Sequence, residues 1–150
     1  MKNYLAFFAL AISLLVGSQA FASNNTGVDE KVSKVFYQTF PAAMNVQWDE
    51  VNGMYVVHFE DAGNRSIVYY DKQGNFLNSI RYYNAENLPI NILFKVREKY
   101  ASMQIFGVTE ISNGENIAYF IKMEDNSNWL TLKSGPSGSL EVYEKYKKIK

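Results

Sequence analysis

The sequence of 150 residues balances 15 basic against 15 acidic side chains, so neither nucleic acid nor an anionic membrane is expected as its main partner. It contains no cysteine, which removes disulfides, thiolate zinc sites and Cys/His catalysis. Aromatic residues make up 15% of the chain and 11 of them are tyrosine, more than a core of this size needs, so some are expected on the surface.

Met1 to Ala22 carries a lysine at Lys2, an apolar run from Leu5 to Val16 and the small-x-small end Ala20-Phe21-Ala22. This predicts a secretory signal peptide over residues 1–22. The apolar run is shorter than the roughly 20 residues a membrane span requires, and no cysteine near the cleavage point offers a lipid anchor. The expected mature domain is therefore residues 23–150, periplasmic or secreted, with no membrane contact after cleavage. Its length suits a single domain with one core.

After a polar leader, Thr26-x-x-Asp29 has the form of a capping box, and Val28, Val32, Val35, Phe36 and Phe40 recur at helical spacing until Pro41. Residues 45–50 and 54–60 alternate on either side of Asn52-Gly53, which predicts a hairpin. Residues 65–71 and 75–83 alternate on either side of a turn ending at Gly74. The unit is one helix followed by four antiparallel strands, covering about residues 27–86. Trp48 shares parity with Val46 and is expected in the core beneath the first helix.

The second half, about residues 87–150, repeats this order. Tyr55-Val56-Val57-His58-Phe59-Glu60-Asp61 matches Tyr119-Phe120-Ile121-Lys122-Met123-Glu124-Asp125 at a step of 64 residues, which also carries Gly74 onto Gly138. Earlier in the unit the step is 60, placing Val32 on Ile92 and Phe36 on Val96, and the extra residues fall in the turn at 112–116. Asn87 or Leu88 is expected to cap the second helix, with Pro89 in its first turn. The fold class is α+β: two tandem α-β4 repeats, an antiparallel sheet with both helices on one face, and the other face open and concave.

Phe40-Pro41 at a helix end, Trp48, the spacing Tyr55, Val57, Phe59, the run Tyr70 to Asn75, and Leu88-Pro89 with Ile92 together resemble the PepSY-like family of exported bacterial proteins, also described as β-lactamase-inhibitor-protein-like. The resemblance spans the mature chain and implies the two-repeat fold and an exported location. It does not imply β-lactamase inhibition: those inhibitors contain disulfides, and members of the family generally lack an assigned activity. The second repeat departs from the pattern at Ser134 to Gly138 and has no tryptophan matching Trp48.

His58 is the sole histidine and lies mid-strand, so no catalytic triad, metal site or cofactor is expected. The Asp71 to Asn75 segment lacks the acidic series of a calcium loop and reads as a turn. Comparison of the repeats assigns faces, because buried positions should stay apolar in both copies. Tyr55, Val57 and Phe59 agree with Tyr119, Ile121 and Met123, whereas Val56 and His58 differ from Phe120 and Lys122. Extended to the last strands, the same rule assigns Leu77, Ser79 and Arg81, with Glu141, Tyr143 and Lys145, to the face away from the helices.

That open face would carry Val56, His58, Ile67, Tyr69, Arg81, Phe120, Lys122, Trp129 and Tyr143. Aromatics and arginine are enriched at interface hot spots, although they also favour strands for local reasons. The expected function is an exported, non-enzymatic binding module that grips a protein or peptide on this face. The alternative is a small-ligand carrier with a pocket between helices and sheet.

Overall fold

The computed structural model describes residues 27–149; the expected signal peptide lies outside the described residues. The elements run α1 (Glu30–Thr39), β1 (Met44–Val51), β2 (Met54–Asp61), β3 (Asn64–Tyr70), β4 (Phe76–Tyr83), a short 3-10 turn (Ala85–Asn87), α2 (Ile90–Lys99), β5 (Gln104–Ser112), β6 (Ile117–Glu124), β7 (Asn128–Ser134) and β8 (Leu140–Lys147). All eight strands form one antiparallel sheet in sequence order. Each strand pairs with its sequence neighbours, so the edges are β1 and β8.

Helix α1 starts where Asp29 accepts a hydrogen bond from the Lys31 N–H at 2.8 Å, a side-chain cap for one of the first-turn donors. The helix thus begins two residues after Val28, and Thr26, the other half of the expected capping box, lies outside the described residues. Helix α2 is entered one residue later than expected: Pro89 is its N-cap, and the Pro89 carbonyl accepts from Ile92 and Leu93. The missing proline N–H costs nothing there, since no carbonyl of the helix would have received it.

Each helix buries one apolar stripe on the sheet. Val32 and Phe36 pack with Trp48, Tyr55, Val57, Phe59, Val68 and Tyr70; Ile92, Leu93 and Val96 pack with Val108, Tyr119, Ile121, Met123, Leu130 and Leu132. A fully buried side chain of this kind contributes about 1.5–3 kcal/mol. Tyr83 at the end of β4 and Leu88 belong to the second cluster, so the last strand of the first half helps to build the core of the second. The expected burial of Trp48 is observed: it is 8% exposed, edge-on to Phe36 at 5.3 Å.

The turn glycines sit beneath the helices. Gly74 (φ 86°) and Gly138 (φ 75°) adopt the left-handed conformation that glycine favours, and each faces a helix. A Cβ at Gly74 would lie 3.7 Å from Val32, and one at Gly138 would approach Lys95 Nζ to 3.1 Å. The Asp71 to Asn75 segment is a turn, as expected. Asp71 Oδ1 accepts from the Gln73 and Asn75 N–H groups and Oδ2 from the Asn75 amide.

Candidate functional site

Strand pairing fixes which side chains share the helix-free face, since directly opposed residues point the same way. One row runs His58, Ile67, Ile80, Ile111, Ala118 across β2 to β6. The next runs Glu60, Arg65, Tyr82, Thr109, Phe120, Lys133, Glu141. Further along the strands come Gly107, Lys122, Thr131 and Glu144, then Glu124, Trp129 and Tyr146. No helix of the described residues covers these rows.

Of the nine residues expected on this face, Ile67, Tyr69, His58, Phe120, Lys122, Trp129 and Tyr143 lie there and are at least partly exposed. Val56 shares their face but is only 3% exposed, boxed in between its partners Asp49 on β1 and Tyr69 on β3. It is therefore unavailable to a ligand. Arg81 is on the other face. Tyr70 opposes Phe76 and Tyr69 opposes Asn78, so Leu77 is an extra residue, a β-bulge that inverts the parity of the rest of β4. Arg81 accordingly opposes buried Ser66, lies 5.6 Å over the Tyr83 ring and meets Glu110 at 3.5 Å. Ser79 shifts with it to the helix side, while Ile80 moves to the open face. A second bulge in β8, at Tyr143, likewise turns Lys145 toward the helix side and Glu144 away from it.

Two aromatic and cationic groups form at the β5–β8 end. The rings of Phe106 and Trp129 meet edge to face at 5.4 Å, and Lys122 Nζ lies 5.0 Å from the Trp129 centroid and 5.9 Å from that of Phe106. Lys148 also stacks on Trp129, at 4.6 Å, and is neutralised by Glu124 at 2.6 Å. Beside them Phe120 meets Tyr143 at 5.0 Å, with Lys133 5.9 Å over the Phe120 ring. On the β2 side His58 is 3.7 Å from Asp49, both well exposed.

The sequence reading missed Phe106, Tyr82 and Tyr146. Phe106 is 62% exposed because it is the extra residue of a bulge between Ile105 and Gly107. Its signal was a bulky aromatic directly before a glycine within a strand. Tyr82 was concealed by the β4 bulge.

Two hollows open on this face. One, of about 360 Å³, is lined by Asn64, Arg65, Tyr82, Phe106, Thr109 and Lys122 among others. The other, of about 490 Å³, shares Arg65 and Tyr82 and adds Gln47, His58, Ser66 and Ile67. A third, of about 450 Å³, lies between the end of α2 and β5, where Val96, Tyr100, Met103, Ile105 and Met123 line it. On the helix side, burial and then a hydrogen bond donated to Glu110 at 2.7 Å keep the Tyr83 hydroxyl protonated far above its ordinary range. Burial also raises Tyr119 and Tyr70 above the ordinary tyrosine range. Among the described residues no cluster of three or more His, Cys, Asp or Glu side chains could hold a metal, and no helix is long and apolar enough to cross a membrane.

Neither a family model nor a curated protein sequence matches this chain. Solved structures do. A BLIP-like protein of Bacteroides fragilis superposes with a TM-score of 0.61 at 19% identity, over 84% of this chain and 91% of that one. The fold is BLIP-like. A DUF2874 family protein of Bacteroides ovatus gives 0.60 at 18% identity over 80% and 87%. A Bacteroides eggerthii protein for which a periplasmic location has been suggested gives 0.60 at 14% over 80% and 88%. At these identities the BLIP-like likeness is one of architecture: an α+β fold with one antiparallel sheet and two helices, as the sequence led us to expect.

Proposed function

We propose that this chain is an exported, non-enzymatic module that binds a protein or peptide on the helix-free face of its sheet. The observation that carries the reading is the band of at least partly exposed aromatic, aliphatic and cationic side chains, across neighbouring rows, from His58 and Ile67 through Tyr82 and Phe120 to Trp129, which no helix of the described residues covers. Such residue types concentrate at interface hot spots, and an uncovered apolar strip on a small domain calls for a partner. His58 is a mid-strand side chain whose carboxylate neighbour among the described residues is Asp49 at 3.7 Å, and Ser66, which lines the same hollow, is buried and on the opposite face of the sheet.

Export rests on the pattern of residues 1–22 and is supported by the suggested periplasmic location of the B. eggerthii relative in fold. N-terminal sequencing of native protein should begin at Ser23; an intact Met1 would overturn export by cleavage. The chain is further proposed to be two copies of one α-β4 unit with PepSY-like kinship. The supporting positions are Trp48, Val57 and Val68 against Val108, Ile121 and Leu132: each trio is buried and paired in the same order across three strands.

Binding is tested by pull-down from periplasmic extract, comparing wild type with the Trp129→Ala, Tyr69→Ala double variant. A partner retained by wild type and lost by the variant is expected; an identical captured set would move the site off this face. The hollow at the end of α2 favours a second reading, a small apolar ligand held between helix and sheet. In that case Met103 and Tyr100 substitutions, not those on the open face, would abolish binding.

A further inference from the structure

Within that binding face, and resting on that reading, we infer that Arg65 and Lys122 form a carboxylate-holding subsite for an acidic, extended segment of a partner polypeptide. The two cations come from β3 and β6 and line the same hollow of about 360 Å³, with β4 and β5 between them. None of the side chains lining that hollow is acidic. Among the described residues neither cation pairs with a carboxylate, although the four ion pairs present show that carboxylates are available on this surface. Glu60 directly opposes Arg65 across the strands, yet its carboxylate receives the Asn45 amide at 3.2 Å while the guanidinium lies 5.7 Å over the Tyr82 ring. Lys122 is likewise held by ring faces, 5.0 Å from Trp129, while Glu124 on its own strand is engaged by Lys148.

Aromatic faces orient a cation without using up its N–H donors. Both heads therefore keep their full hydrogen-bonding capacity toward an incoming anion, and the planar guanidinium fork fits a carboxylate in particular. Space for the anion is provided by Gly107, which faces Lys122 across the β5–β6 pair. A Cβ built there would meet nothing within 4 Å.

The occupant is a polypeptide rather than a free acid because the hollow is one part of a longer trough. The neighbouring hollow shares Arg65 and Tyr82 and continues toward β1 past Ile67, His58 and Gln47. From β1 to β6 the trough crosses five strand gaps, roughly 24 Å, the length of about seven residues of extended chain. Its far end is lined by Ile67, His58 and Gln47 beside the carboxylate of Glu60, which repels a second acidic group, so the segment pairs an acidic residue with apolar neighbours.

The probe is a fluorescein-labelled eight-residue peptide of alternating Glu and Tyr, titrated by fluorescence polarisation against the mature chain, beside its Gln-Tyr counterpart. The Glu peptide should bind at least about tenfold more tightly, the order of one hydrogen bond between charged groups. Arg65→Gln and Lys122→Gln should each weaken it about tenfold by the same reckoning, leave the Gln peptide unaffected and leave the melting temperature in place. Lys145→Gln, of equal charge change but on the helix side, should have no effect, and Gly107→Phe should block the Glu peptide by filling the hollow. Equal affinity for the two peptides, no binding of either, an equal effect of Lys145→Gln, or unchanged binding in Arg65→Gln and Lys122→Gln would each overturn the subsite. Full competition by free glutamate at matched concentration would overturn the polypeptide assignment. A partner captured in the pull-down but indifferent to Arg65 and Lys122 would leave the binding module standing and sink this inference alone.

Discussion

Trp48 shows how much one side chain can decide in a domain without disulfides. Its ring stands against Phe36 of α1 and Tyr70 of β3, at 5.3 and 6.3 Å, so it joins helix to sheet. Replacement by alanine should cost about 3–5 kcal/mol, a large share of the 5–15 kcal/mol typical of a small domain. Urea denaturation measures this, and a loss under about 1 kcal/mol would contradict the burial. A change in the opposite direction is available at Ala62. The turns Asn52-Gly53 and Ala62-Gly63 have nearly the same geometry, with φ of 51° and 78° in the first and 48° and 78° in the second. Both suit the hairpin turn in which Asn-Gly is favoured, but alanine adopts the left-handed conformation at a cost of about 1 kcal/mol. Ala62→Asn should therefore stabilise the fold by about 0.5–1 kcal/mol, seen as a higher melting temperature. No gain would mean that the β2–β3 turn carries no such strain.

At the scale of elements, the strands and helices were legible because their period and turn residues agree: Asn52-Gly53, Gly74 and the apolar spacing of α1 all point the same way. The faces were legible only as far as the first irregularity. Tyr55, Val57 and Phe59 fall on the helix side as alternation requires, but a bulge at Leu77 adds one residue that no alternation rule can detect, and Arg81 and Ile80 exchange faces in consequence. Val56 fails for another reason, since parity says which way a side chain points and not whether its neighbours cover it. The turns at Asp71 and Asp125 yield an acid-stability prediction. Asp71 is held below the ordinary aspartate value of 3.8, first by the Asn75 side chain and then by backbone N–H groups; Asp125 is held there first by the Ser127 N–H and then by Asn128. A carboxyl whose folded pKa is lowered stabilises the fold above its unfolded pKa, and the contribution disappears as pH falls through the folded value. The Asp71→Asn, Asp125→Asn variant should thus be less stable than wild type near neutral pH, and the gap should close on acidification below the ordinary aspartate value. A gap that persists at low pH would trace the loss to geometry rather than charge.

For the molecule as a whole, the two faces of one sheet make opposite predictions. Among the described residues α1 and α2 cover the side bearing Phe59, Ile121 and Leu132 and leave the side bearing Tyr69 and Trp129 uncovered. If the uncovered side binds a partner, Trp129→Ala and Tyr69→Ala should leave folding within about 1 kcal/mol of wild type, as surface changes usually do. The same changes should weaken binding by about 2 kcal/mol or more where the side chain is a hot spot. Phe59→Ala should do the reverse, since its ring lies 4.9 Å from Phe36 and 4.7 Å from Phe40. It should lower the melting temperature first and reduce binding only through loss of folded protein. Thermal denaturation and titration of the captured partner on the same samples separate these effects. A Trp129→Ala variant that melts early but binds normally once folded would make the cluster with Phe106, Lys122 and Lys148 a structural clamp on the β6–β8 edge, and the binding reading would lose its strongest residue.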